Sequence, residues 1–141
     1  MKGRTKNKTV RGPESGAVAV EFAITGPLFL VLLVGILVWG QYFWISHTVQ
    51  QLANDSARAA LAGLNTAERE QLARATLAAE VADYPSLRAE AAAVVVENQP
   101  DRLTVSIRYD TAHDAFRAFD GLVPSPPKTV LRQASVRLGG Y

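Results

Sequence analysis

Hydrophobic and polar positions divide this chain into three stretches of different rhythm. From Phe22 to Ile45 no residue is charged, and only Thr25 and Gln41 are distinctly polar. Read as a helix, those 24 residues would be about 36 Å long, enough to cross a hydrocarbon core of about 30 Å with some tilt. Past Ser46 the pattern changes to a helical stripe. Val49, Leu52, Ala53, Ser56, Ala60 and Leu64 recur at spacings of three and four, with Asp55 and Arg58 off the stripe. One unbroken helix from near Ala17 to about Ala62 is expected, with Gly63 at its end. Asn65 followed by Glu68 has the form of a capping box, so a second helix should start at Asn65 and reach about Asp83, before Tyr84-Pro85.

The period then shortens to two. Ala91 to Glu97 is rich in valine and reads as a strand, followed by the turn residues Asn98-Gln99-Pro100-Asp101. Arg102 to Tyr109 alternates strictly, with Leu103, Val105, Ile107 and Tyr109 on one face. Val130 to Leu138 reads as a third strand whose apolar face is interrupted by Arg132. Between them, Ala115 to Gly121 suggests a short helix with Phe116 and Phe119 on one side, and Pro124 to Pro127 must be loop. The predicted fold class is α+β: a long N-terminal membrane-plus-stalk helix carrying a small head of one or two helices and an antiparallel sheet of about three strands. In domain terms this is a basic leader (1–16), the N-terminal helix (17–64, in membrane over about 22–45) and a head (65–141). A head of that size is marginal alone and gains from burial against the stalk.

Charge adds orientation. Lys2, Arg4, Lys6, Lys8 and Arg11 precede Gly16 against the single acid Glu14, whereas the whole chain is only +2. Basic residues flanking an apolar span belong on the cytoplasmic side, and Trp39, Tyr42, Phe43 and Trp44 at the other end suit the outer interface. The net positive charge sits in this flank, and the remainder of the chain is net negative, which argues against a nucleic-acid partner for the folded part. A cleaved secretory signal would have a shorter apolar core and a small-residue site close behind it. Here the nearest Ala-x-Ala is Ala57-Arg58-Ala59.

One carboxylate breaks the pattern. Glu21 lies at the cytoplasmic end of the apolar run, five residues after Gly16. A charge within hydrocarbon is costly, less so near the interface. It can sit among headgroups, or it can pair with a fixed partner. Cleavage after Gly16 would create such a partner, the α-amino group of Ala17, one helical turn away or on a packed neighbour.

The stretch RGPESGAVAVEFAITGPLFLVLLVGILVWGQYF, Arg11 to Phe43, resembles the TadE-like minor pseudopilins of tight-adherence (Flp-type) pilus systems, within the type IV prepilin class. The resemblance rests on the basic leader ending in Gly16, on Val20-Glu21-Phe22-Ala23 and on Pro27 within the apolar helix; ANDSARAALAG further on is similar too. It implies cleavage between Gly16 and Ala17, with a prepilin peptidase as the enzyme and this chain as its substrate. It also implies a processing or assembly role for Glu21 and Phe22. Other pilins and pseudopilins would be partners through the N-terminal helix, with an inner-membrane assembly platform and the lipid bilayer. The location implied is the bacterial cytoplasmic membrane, single-pass, head outside, with incorporation in a surface pilus. Gly26 and Pro27 mark a kink or a close-packing point in the helix. Ala17 departs from the phenylalanine usual in type IV pilins, and the sizeable head suits a minor component. The alternative is an uncleaved anchored protein whose head binds an envelope or secretion partner.

Little else suggests chemistry. His47 and His113 have no metal-ligand spacing, and His113-Asp114 reads as a loop-to-helix transition with Asp114 as cap. Ser86 and Ser125 lack a glycine elbow, and cysteine is absent. No catalytic residue, cofactor or metal is expected. Phe116, Phe119, Leu122 and Val123 read as head core, with a partner-binding patch as the other reading. Arg69, Arg74 and Arg88 read as part of a mixed, solvated helix face.

Overall fold

The computed structural model describes residues 13–138. The basic residues of the expected leader, Lys2 to Arg11, lie outside that range. Helix α1 runs over Pro13–Ala60, α2 over Thr66–Val81, and strands β1, β2 and β3 over Ala92–Asn98, Arg102–Asp110 and Thr129–Arg137. Two short 3-10 turns, Ala89–Ala91 and Ala115–Phe119, complete the order. The fold is α+β, and each strand lies within a residue or so of its expected position.

α1 continues without interruption through Pro27. It ends where Leu61, Ala62 and Gly63 each donate a backbone N–H three residues back, tightening the last turn. Gly63 is required there by close approach: a Cβ at this position would lie 2.6 Å from the Arg69 backbone nitrogen. Leu64, expected on the helical stripe, falls past the helix end and is 90% exposed. Asn65 caps α2 through its Oδ1, which accepts the Glu68 N–H at 2.9 Å. The Glu68 carboxylate reaches one residue further back than a standard capping box, accepting from Leu64 N at 2.8 Å.

The three strands form an antiparallel meander in the order β1-β2-β3. Val94 pairs with Ile107 on one side, while Val105 pairs with Ala134 and Tyr109 with Val130 on the other. Leu103, Val105, Ile107 and Tyr109 are fully buried, so the strict alternation of β2 marks the sheet's covered face. Arg132, opposite Ile107 on that face, is half-buried and donates to the Leu131 carbonyl at 2.9 Å. As β3 is an edge strand, its guanidinium can bury its stem and still reach a polar partner.

The core joins this face to the upper part of α1 and to α2. Val38, Ile45, Val49, Leu52, Ala53, Ala57 and Ala60 of α1 meet Ala73, Leu77 and Val81 of α2 and the β2 row. Small side chains on both helices allow their backbones to come close. From Gly16 to Leu33, by contrast, α1 is almost wholly uncovered, with Phe22, Ile24 and Leu28 among its exposed apolar residues. The head therefore grips the helix inside the apolar run Phe22 to Ile45, beginning at Val34 and Gly35 and burying Val38 completely.

Candidate functional site

The predicted site residues all lie on the bare end of α1. Glu21 is one turn above Ala17, so the two share a face of the helix. The helix runs through the Gly16–Ala17 bond, and a Cβ at Gly16 would meet nothing within 4 Å. Among the described residues the head covers none of this junction, and Gly16 to Val20 are exposed. Phe22 is exposed, and its ring lies over Gly26: a Cβ there would meet the ring at 3.6 Å. Gly26 thus leaves a recess that Phe22 fills, next to Pro27, which can donate no helical hydrogen bond to Ala23. Phe22, Ala23, Thr25, Gly26, Pro27, Phe29 and Leu30 line an almost purely apolar groove on this helix. Such a face fits another helix or lipid, and nothing in it suits a polar substrate.

Over residues 16–58 the chain matches the family model described as TadE-like protein. α1 carries a TadE-like segment. Its match begins at Gly16 and stops two residues short of the helix end, so it covers the bare part and the part beneath the head. The match covers less than a third of the chain; the TadE-like family itself is a structural, pilus-associated one with no known enzymatic activity. α1 is also long and apolar enough to cross a membrane. No curated protein matches the chain, and no solved structure does.

The head meets the TadE-like segment through a braced loop, residues 111–128. Arg117 is its hub. Its guanidinium donates to Thr111 O (3.2 Å), Thr111 Oγ1 (2.6 Å), Pro126 O (2.8 Å) and Pro127 O (2.6 Å), and its charge lies 5.0 Å from the centre of the Phe116 ring. Asp120 accepts from Ser125 Oγ at 2.7 Å and pairs with Arg117 at 3.7 Å. Trp39 Nε1 donates to Pro124 O at 3.0 Å, fastening the loop to α1. Ala115–Phe119 is a 3-10 turn rather than the start of an α-helix, so Phe116 and Phe119, three apart, fall on the same side. The four apolar residues here divide. Phe116 and Val123 are core, whereas Phe119 and Leu122 are 42% and 54% exposed.

A second cluster holds the other side of the head. Asp114 does not cap the 3-10 turn. Its Oδ1 instead accepts from Arg88 Nη2 at 3.2 Å and from the Tyr109 hydroxyl at 3.1 Å, while Arg88 Nη2 also donates to Asp110 O. Burial pushes the Tyr109 hydroxyl's pKa up, which keeps it a donor. Arg88 and Arg69 are thus braces: Arg69 donates to Gly63 O and Asn98 Oδ1, joining the α1 end to β1. Arg74 alone keeps to the solvated face, paired with Glu70. In the sequence these three arginines look alike, and only the long-range partners separate them.

A cavity of about 520 Å³ lies between α1 and the loop, lined by Leu37, Val38, Ile45, Arg88, Asp114 and Phe119 among others. Ser86 and His113 also border it, but Ser86 accepts from Trp44 Nε1 and forms no pair with His113. Among the described residues no group of His, Asp or Glu is placed to hold a metal. His47 is exposed on α1.

Proposed function

We propose that this chain is a minor pseudopilin of a tight-adherence pilus or secretion system. It enters the bacterial cytoplasmic membrane as a single-pass prepilin, N-terminus inside. A prepilin peptidase cuts between Gly16 and Ala17, and the mature helix then packs with other pilins at an inner-membrane assembly platform, supporting pilus assembly and surface adherence. The observation that carries this reading is the TadE-like match beginning at Gly16, on a helix whose one acid between Gly16 and Ile45 is Glu21. Chemistry gives each residue its part. Gly16 presents a peptide bond without side-chain obstruction. Glu21 pairs with the Ala17 ammonium, its own or a neighbour's, setting the axial register between helices, because an unpaired charge in low dielectric is strongly disfavoured. Phe22, seated against Gly26, shapes the helix face beside that pair.

Glu21→Ala in a pilus-forming strain tests the central role. The variant should remain integral to the membrane while surface pili and adherence fall sharply. Wild-type pili from Glu21→Ala would remove the role assigned to the carboxylate.

A further inference from the structure

We propose that the base of the head, the loop carrying Phe119 and Leu122, seats in the outer surface of the lipid bilayer and so fixes how deep α1 sits. The inference rests on the reading that α1 spans a membrane. The loop is level with the point where α1 emerges uncovered. A Cβ on Gly35 would touch Val123 Cγ1 at 3.9 Å, Trp39 is bonded to Pro124, and Leu37 and Phe119 share one cavity wall. Phe119 and Leu122 are exposed on this rim, continuous with exposed Leu37 and the apolar helix below it.

Several of the rim's polar groups are paired within the protein. Pro124, Pro126 and Pro127 carbonyls accept from Trp39 and Arg117, Phe119 O accepts from Leu122 and Val123 N–H, and Asp120 is held by Ser125 and Arg117. Internal pairing lowers the cost of bringing this loop against the bilayer, and at the interface the remaining backbone groups still meet water and headgroups. In water the same rim would expose two large apolar side chains without return. Trp39, Tyr42, Phe43 and Trp44 lie beside this rim or just above it, where aromatic residues favour the interface.

Depth follows from helix geometry. With the outer hydrocarbon boundary at Leu37, a core of about 30 Å takes about 20 residues at 1.5 Å each. The inner boundary then falls near Val18, and Glu21 lies roughly 5 Å inside the hydrocarbon instead of among headgroups. The seated head thereby puts the carboxylate where it needs a partner charge.

The chain has no cysteine, so single nitroxide labels can be placed on Leu122→Cys and, as a control at the far end of the head, on Leu64→Cys. The full-length protein is reconstituted in phosphatidylethanolamine–phosphatidylglycerol vesicles, and the label's accessibility to oxygen and to a water-soluble nickel chelate is measured. The expected result is a label at 122 that favours oxygen over nickel several-fold more than the label at 64. Equal nickel access at both positions in carbonate-resistant vesicles overturns the seating while leaving the spanning helix intact. Extraction of the protein by carbonate overturns both. Low access to both reagents with dipolar broadening that disappears on dilution assigns the rim to a second copy of the chain, and also overturns it. Leu122→Asp gives a second reading: wild-type thermal stability in detergent, with Trp39 fluorescence shifted to the red in vesicles.

Discussion

Arg117→Met removes the hub of the basal loop and keeps most of the side chain's apolar stem against Phe116. The native side chain is 7% exposed and its guanidinium makes four hydrogen bonds, two of them at 2.6 Å. Hydrogen bonds from a charged donor contribute about 1.5–3 kcal/mol each in isolation. Four bonds from one side chain do not add, and water can rehydrate the released proline carbonyls at the loop surface. A loss of about 3 kcal/mol is therefore expected, a large part of the stability of a small domain. For a head of this size that corresponds to a fall in Tm of roughly 12–24 °C. Thermal unfolding of the full chain in detergent micelles, followed by fluorescence of Trp39 and Trp44 where the head meets α1, reads it directly. Arg74→Met is the control. Its bridge to Glu70 is as short, 2.6 Å, but both side chains are well exposed, so the expected loss is only about 0.5 kcal/mol. Equal effects of the two substitutions would refute the reasoning that burial and backbone partners make Arg117 a brace.

Gly63→Ala should cost about 1–3 kcal/mol, because the added methyl meets α2 backbone that cannot rotate away; Gly40→Ala, with nothing within 4 Å, should be neutral or stabilising by up to about 1 kcal/mol in the same melts. Glu80's pKa is raised by burial and then by the neighbouring charges of Asp55 and Asp83. Its neutral form is favoured in the folded state, so the stability linked to it is greatest below the usual carboxylate range and declines as pH rises through the raised value. Glu80→Gln should accordingly melt slightly higher than wild type at pH 7, with the gap closing as pH falls through that range. A gap that widens toward acid pH would reverse the sign of the coupling.

Most of the architecture was legible because it is periodic. The alternation of Leu103, Val105, Ile107 and Tyr109 and the spacing of Val49, Leu52, Ala53 and Ser56 each repeat one physical environment along the chain. Asn65 and Glu68 mark a helix start within four residues. What the sequence conceals is contact across long separations. Nothing local shows that Trp39 meets Pro124, or that Arg88, Arg69 and Arg117 are braces while Arg74 is solvated. Nor does an apolar run reveal that a head packs on its upper half, since Val38 and Leu37 are equally suited to lipid and to protein. The divided fate of Phe116 and Phe119 has the same origin: a 3-10 turn puts both on one side, and the depth of the neighbouring helix decides which is buried. The candidate processing site was legible for the opposite reason. Gly16, Glu21, Phe22 and Pro27 lie within twelve residues of one helix and need no tertiary partner to be recognised.

The central claim, that the chain is processed at the Gly16–Ala17 bond, is tested most directly by intact-mass spectrometry. The protein would be extracted from membranes of cells with and without an active prepilin peptidase. The account predicts a mature chain beginning at Ala17 in the first case and an uncut N-terminus in the second. Retention of Met1 to Gly16 in the presence of the peptidase would contradict it and leave an anchored, uncleaved protein.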